Sequence, residues 1–375
     1  MSILKQVRTK ETFLEKIQTL SPLTQDSIRF TITNFENYSM KKFGQANIIP
    51  DLQEAKEQEI FDVLQHWINW NSDKAPSSVK TYWSHLRKYL HYFGIKLNPL
   101  DIKSELDFKH KVEEDRYGLN RTDIQKILAN MRYKHRVQYM CQLSSCMRIG
   151  EIIQLRKKHL ILGGDNIIVK IPPTIAKFSK GRTTFFSKES SKLLYPILKE
   201  LQNEDLVFGT SENKENSSSS TKQVLRHAVK CSGLDDRYES TNRHTINTHS
   251  FRAYGITKLS RHDPNFAKKI SGQKGYLLQY DRMDDDEKLE LYQKFEFDLI
   301  VDETEAKNEE IKRLREEKRN YEEQEEQRRV ELKDQLRLEI LADLKKNRPF
   351  LSIKDELENN LNLRERAQRK LAFNF

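Results

Sequence analysis

Apolar residues recur at helical spacing along much of the chain. Three amphipathic runs stand out in the first hundred residues. One starts at Leu23 and continues through Ile28, Phe35, Tyr38 and Met40, and a second covers residues 51–70. The third, SSVKTYWSHLRKYLHYFG, follows Pro76. Its Val79, Trp83, Leu86 and Leu90 share one face of a 3.6-residue helix and predict a core. Ser77 or Ser78 is placed to cap its start, and Gly94 to stop it. Lys80, Arg87 and Lys88 fall mostly off that apolar stripe. They are candidates for phosphate contact, and equally for plain solvated surface. Residues 96–110, KLNPLDIKSELDFKH, hold a proline and mixed charge without a sustained period, and read as a connector.

A second region begins near Gly118. Asn120 or Thr122 is placed to cap a helix over DIQKILANM, and another helix is expected from Tyr133 to Cys146. NIIVKI (166–171) alternates as a strand, and RTTFF (182–186) is rich in β-formers. Together they predict a hairpin whose connection holds Lys177 and Lys180. SENKENSSSSTKQ (211–223) reads as a flexible polar loop. Helices resume at VLRHAVKCSG and again from Phe251. Beyond Asp302 the sequence is dense in Glu, Lys and Arg with few breakers, which predicts a long charged helix with partial heptad character at Ile311 and Leu314. A last helix is expected over about 353–371. The pattern as a whole predicts a mainly α chain with a small β-sheet (α+β), divided as 1–104, 105–302 and 303–375.

Composition narrows the function classes. The formal net charge of +10 favours polyanionic partners, of which nucleic acid is the commonest. Three cysteines without paired spacing (Cys141, Cys146, Cys231) argue against a disulfide framework and fit a reducing cytosol. No run approaches the roughly 20 apolar residues of a membrane span, and the charged N-terminus has no secretory core. A cytoplasmic protein is expected, nucleoid-associated if it binds DNA. There is no Gly-rich phosphate loop followed by Lys-Ser or Lys-Thr, and no metal-ligand cluster, so no cofactor and no metal site are expected.

Four polar pieces carry candidate chemistry. Arg148 and Glu151 stand in CMRIGE, which reads as the opening of a helix continuing through IIQLRKKHL. A guanidinium beside an apolar helix is partly desolvated and needs an anion, though an ordinary surface pair has the same spelling. His249 and Arg252 in THSFRAYG point to one face if both are helical, which suits a phosphate oxyanion; a capped helix start with a structural histidine is the plainer alternative. SGQKGYLLQYDR offers Tyr276 and Tyr280, four apart. A tyrosine becomes a nucleophile only where cations lower the cost of its phenolate. AKFSKGR supplies a loop lysine able to protonate a leaving oxygen.

In this order the four pieces resemble the tyrosine recombinase family, which includes phage and plasmid integrases. The resemblance covers roughly residues 15–290. The family's arginine with a following acid corresponds to Arg148 and Glu151, and its hairpin lysine to Lys177, with Lys180 as the alternative. Its His-x-x-Arg corresponds to His249 and Arg252. Gln273, after Gly272, stands where the family usually has His or Trp; glutamine can donate a hydrogen bond but cannot carry a proton. The GQKGY segment is similar to that of archaeal mobile-element integrases. Tyr280 lies closer to the family's spacing for the nucleophile than Tyr276.

The resemblance implies a helical N-terminal core-binding domain, a mixed catalytic domain and a long charged C-terminal extension outside the family pattern. It implies a site-specific recombinase that cleaves and rejoins double-stranded DNA through a 3′-phosphotyrosyl bond on Tyr280, without metal or ATP, as a homotetramer on two DNA sites. In that scheme Lys80, Arg87, Lys88, Lys180 and Arg182 contact DNA. A type IB topoisomerase shares the residue set and stands as an alternative, as does a DNA-binding protein without catalysis.

Overall fold

The computed structural model describes residues 7–110, 112–275 and 282–347. The chain divides into two units. The first takes in residues up to 117 together with 235–246, and the second comprises 118–234 and the residues from 247 onward. No helix among the described residues is long and apolar enough to cross a membrane.

The first unit is helical: α1 (Lys10–Lys16), α2 (Pro22–Phe43), α3 (Ile49–Glu54), α4 (Glu57–Trp70), α5 (Pro76–Tyr92) and α6 (Pro99–Glu105). Local chemistry sets the boundaries. Thr9 and Thr12 form a reciprocal capping box at the start of α1. Ser21 caps α2, and Gly44, at φ 76°, ends it in the left-handed conformation. The expected stripe of α5 is buried at Val79, Trp83, Leu86 and Leu90, against Phe13, Ile32, Phe35, Leu64 and Trp67. A polar knot in this core is satisfied. Trp67 Nε1 donates to Asn34 Oδ1 at 2.9 Å, and Asn71 Nδ2 donates to the same oxygen at 3.2 Å. Met40, expected on the apolar face of α2, is exposed. The connector holds α6, a short helix begun by Asn98, whose side chain accepts from Leu100 N. Residues 235–246 form a small clasp in this unit. Arg237 and His244 pair as a β-bridge, and Tyr238 and Ser240 bond the linker at Tyr117 N (2.8 Å) and Glu114 Oε1 (2.8 Å).

In the second unit, α7 (Arg121–Ala129) starts at Asn120, one of the two expected caps, and leads to α8 (Tyr133–Ser145) and the single turn α9 (Ile149–Ile152). An antiparallel sheet follows in the order β1 (Leu160–Ile161), β2 (Ile168–Ile171), β3 (Arg182–Phe185). The expected hairpin is β2–β3, with Ile171 opposite Arg182 and Ile168 opposite Phe185. Then come α10 (Lys188–Lys199), α11 (Lys214–Cys231), α12 (Ser250–Ser260), α13 (Pro264–Ser271), α14 (Asp285–Phe295) and α15 (Glu303–Asn347). The helix expected over 353–371 lies outside the described residues.

Two expectations are corrected here. The segment 211–223 is not a loop: α11 begins at Lys214. Asn213 caps it by accepting from Glu215 N and Asn216 N. Ser217, Thr221, Leu225 and Ala228 then form a buried face of small residues. Ser217 Oγ accepts from Ser211 N at 3.0 Å and donates to Ser211 O at 2.8 Å. The helix expected from Arg148 through Leu160 is only one turn long, and Ile153 to Arg156 leave it toward a bridge between Arg156 and Leu206.

The helix pair α8 and α12 forms the floor beneath the candidate site. Tyr139 and Phe251 pack with ring centroids 4.8 Å apart, and Gln142 Nε2 donates to Thr248 O at 2.9 Å. Gly255 makes the close approach possible, since a Cβ there would run into the Leu143 carbonyl. Tyr292 ties α14 to the same floor. It is fully buried, and its hydroxyl donates to Ser144 O at 2.9 Å.

Candidate active site

The site is built around the C-terminus of α13. Gly272 adopts φ 65°, Gly272 N donates to Lys269 O at 3.2 Å, and Gln273 N donates to Lys268 O at 3.0 Å, a Schellman ending. The carbonyls of Ile270, Ser271 and Gly272 therefore have no partner within the helix. Three arginines from three other elements take them. Arg182 Nε, on β3, donates to Ile270 O at 2.9 Å. Arg252 donates to Ser271 O at 2.9 Å from inside α12. Arg148, at the cap position before α9, donates to Gly272 O at 3.0 Å and to Ser271 O at 3.5 Å. The negative end of a helix dipole is a favourable place for cations, so these carbonyls orient the guanidiniums without neutralising them.

Glu151 is the carboxylate in this group and is 2% exposed. It accepts from Arg182 at 3.0 and 2.7 Å through both oxygens, from Arg148 NH1 at 3.1 Å and from Arg148 N at 2.9 Å. Burial by itself would raise its pKa. The hydrogen bonds and charge of Arg182, then those of Arg148, outweigh burial and hold it at about 2. Arg252 is buried and donates to two backbone carbonyls, those of Cys146 and Ser271. Desolvation first, and the neighbouring Arg148 second, lower its pKa to about 10, so it stays charged at neutral pH. Cys146 serves this contact through its backbone. It sits at φ 53°, ending α8, and turns its carbonyl toward Arg252. Burial pushes its thiol up to about 12.

Of the residues singled out in the sequence, Arg148, Glu151 and Arg252 come together here, joined by Gly272 next to Gln273. Arg182, assigned from the sequence to DNA contact, is turned inward to Glu151 with its side chain 10% exposed. The pairing of Ile171 with Arg182 in the hairpin, and the absence of a Cβ on Gly272, which would lie 2.9 Å from the Arg182 side chain, make room for that orientation. His249 is exposed and is the cap residue of α12, with right-handed helical backbone angles (φ -87°, ψ -16°) three positions before Arg252. Lys177 and Lys180 are exposed in the β2–β3 connection, Lys177 in a 3₁₀ turn over Lys177–Ser179. Lys80, Arg87 and Lys88 are exposed on α5 in the first unit. Tyr276 and Tyr280 lie outside the described residues. Among the described residues, no group of three or more His, Cys, Asp or Glu is gathered to hold a metal ion.

The arrangement presents three guanidiniums for one carboxylate, partly open to solvent at Arg148, which is 18% exposed. Such a cluster lacks an anion, and a phosphate matches the fork geometry of arginine. Sequence reasoning named Arg182 for DNA contact without its pairing to Glu151, and missed the three carbonyls. A glycine directly after the apolar run of α13 was the available signal for the helix end.

Residues 118–274 match the phage integrase family. That segment is under half of the chain and ends short of Tyr280. No curated protein sequence matches the chain. Among solved structures, the chain is similar to a lambda integrase dimer bound to a COC′ core site (14% identity, 73% of this chain and 79% of that one, TM-score 0.50). It is also similar to a lambda integrase tetramer bound to a Holliday junction (15%, 73% and 76%, 0.51). The Tn1549 transposon integrase in complex with transposon right end DNA is a third (14%, 76% and 97%, 0.50). The described fold, mainly helical with a small antiparallel sheet, is similar to that of these integrases.

Proposed function

We propose that this chain is a site-specific DNA recombinase that breaks and rejoins strands through a covalent bond from Tyr280 to the scissile phosphate. The observation that carries this reading is the gathering of Arg148, Arg182 and Arg252 on one helix end with Glu151 as their carboxylate. A phosphodiester in transit through a pentavalent state develops charge on its non-bridging oxygens. Cations fixed beforehand stabilise that charge without reorganising. In this reading Arg148 and Arg252 clamp those oxygens, and Glu151 holds Arg148 in place.

Tyr280 attacks phosphorus, a 3′-phosphotyrosyl bond forms, and the 5′-oxygen leaves. His249 assists the proton at the nucleophile, and Lys177 delivers one to the leaving 5′-oxygen. Gln273 donates a hydrogen bond to the phosphate and moves no proton. The free 5′-hydroxyl of a partner strand reverses the step. The phosphotyrosine conserves the bond energy of the phosphodiester, so rejoining calls for neither ATP nor a metal. Double-stranded DNA is the substrate, held by exposed cations that include Lys80, Arg87, Lys88 and Lys180. A homotetramer on two sites exchanges the strands.

The test is trapping on nicked suicide duplexes drawn from the DNA that flanks the coding sequence. Wild type is expected to give a denaturant-resistant protein–DNA adduct, and Tyr280→Phe to bind the same DNA with no adduct. An adduct retained in Tyr280→Phe moves the nucleophile elsewhere. Relaxation of supercoils without exchange between two sites would make the enzyme a topoisomerase instead.

A further inference from the structure

In the 45-residue helix α15, every described side chain from Ile311 to Ala342 is exposed. At 1.5 Å per residue it is about 65 Å long. Its internal ion pairs, such as Lys318–Glu322 and Arg319–Glu323 at 3.7 Å, are exposed and individually weak. Yet Ile311, Leu314, Tyr321, Leu332, Leu336 and Ile340 remain in water. At 100° per residue these six fall within an arc of about 100°, so they form one stripe on a straight helix.

The charges along this helix come in alternating blocks. Residues 312–319 carry net +3 and residues 322–326 net −4. Residues 328–333 carry net +2 and residues 334–343 net −2. Each block is comparable in length to the Debye length of about 8 Å in physiological salt, so a partner feels the blocks separately. Two copies laid parallel and in register would set each block against itself. Two copies laid antiparallel about residue 327 set 322–326 against 328–333, and 312–319 against 334–343. The same register brings Leu314 opposite Ile340 and Glu325 opposite Arg329, all near the apolar stripe.

We infer that α15 is a self-association surface whose occupant is the α15 of a second copy, antiparallel and centred on residue 327. Opposite charge blocks select the orientation, and Leu314 against Ile340, repeated at both ends of the pair, supplies the apolar contact. The inference is independent of the recombinase reading, because it concerns the chain without DNA.

The test uses the full chain with its exposed thiol removed (Cys231→Ser), since Cys141 and Cys146 are buried. Light scattering without DNA is expected to give twice the chain mass. Arg328→Glu/Arg329→Glu/Lys333→Glu should halve it. So should the variant with Glu322, Glu323, Glu325 and Glu326 all changed to Lys, and mixing the two variants should restore the dimer. Orientation is read by oxidising Lys318→Cys and Leu336→Cys chains. The antiparallel pairing cross-links the mixture. It holds like positions about 27 Å apart, beyond disulfide reach, so neither chain cross-links alone. A monomeric parent chain, a Lys318→Cys chain that cross-links to itself, or a dimer that forms no mixed cross-link would overturn the inference.

Discussion

Replacing Glu151 with glutamine keeps the shape of the side chain and removes its charge, which isolates what the carboxylate contributes among three guanidiniums. Its pKa falls from the ordinary 4.5 to about 2 in the fold. At 1.36 kcal/mol per unit, that difference stabilises the native state by about 3 kcal/mol at neutral pH. The figure agrees with the 3–5 kcal/mol typical of breaking a buried pair from one side. The folded pKa is depressed, so the contribution is complete above pH 4.5 and is lost as pH falls toward 2. At pH 3 it should have dropped to about 1.4 kcal/mol. Urea unfolding of wild type and Glu151→Gln at pH 7 and pH 3 measures this directly, because the other carboxylates titrate alike in both chains. The expected gap is about 3 kcal/mol at pH 7 and roughly half that at pH 3. An equal gap at both pH values, or one below about 0.5 kcal/mol at pH 7, would mean that Glu151 is not the charge partner described.

Two further substitutions probe the same region. Arg182→Leu leaves Ile270 O without its donor and Glu151 with Arg148 as its remaining arginine partner. It should cost about 3–5 kcal/mol in urea unfolding, while the salt dependence of the proposed DNA binding keeps its slope. A slope shallower by about one would instead make Arg182 a phosphate contact. Gly255→Ala drives a methyl group into the Leu143 carbonyl where α12 crosses α8. It should lower stability by about 1–3 kcal/mol, and an unchanged unfolding midpoint would show that the two helices separate freely.

The sequence made parts of this molecule legible because some local signals agree with the tertiary structure. The stripe Val79, Trp83, Leu86 and Leu90 is buried as its period implies, and the β2–β3 hairpin follows from alternation in 166–171. Arg148, Glu151 and Arg252 could be singled out because each stands in a distinctive local context. The pairing of Arg182 with Glu151 could not be read. The carboxylate is 31 positions away, and the direction of Arg182 depends on strand register and on a glycine in another helix. The polar run at 211–223 misled for a related reason. Serine and threonine look like loop composition, but at positions 217 and 221 they provide a small face: the Ser217 hydroxyl bonds the backbone of Ser211, and the Thr221 hydroxyl accepts from Gln138 Nε2 at 3.4 Å. Tyr139 donates to Thr221 O at 3.1 Å, so the helix is also held from outside. The backbone carbonyls of Cys146, Ile270, Ser271 and Gly272 hold the arginines, and no side-chain pattern records them.

Those carbonyls explain how a fold tolerates three neighbouring guanidiniums. Pairing every arginine with a carboxylate would be more stable electrostatically and would cancel the charge. Here one carboxylate holds two of the arginines, and helix-end carbonyls orient all three. Carbonyl dipoles satisfy the N–H groups but carry no net charge, so the positive field survives inside a low-dielectric site. Arg252 shows the cost, since burial and Arg148 lower its pKa to about 10. An arriving phosphate would relieve both the desolvation and the repulsion. In the proposed reaction that interaction would strengthen as charge builds on the phosphate oxygens.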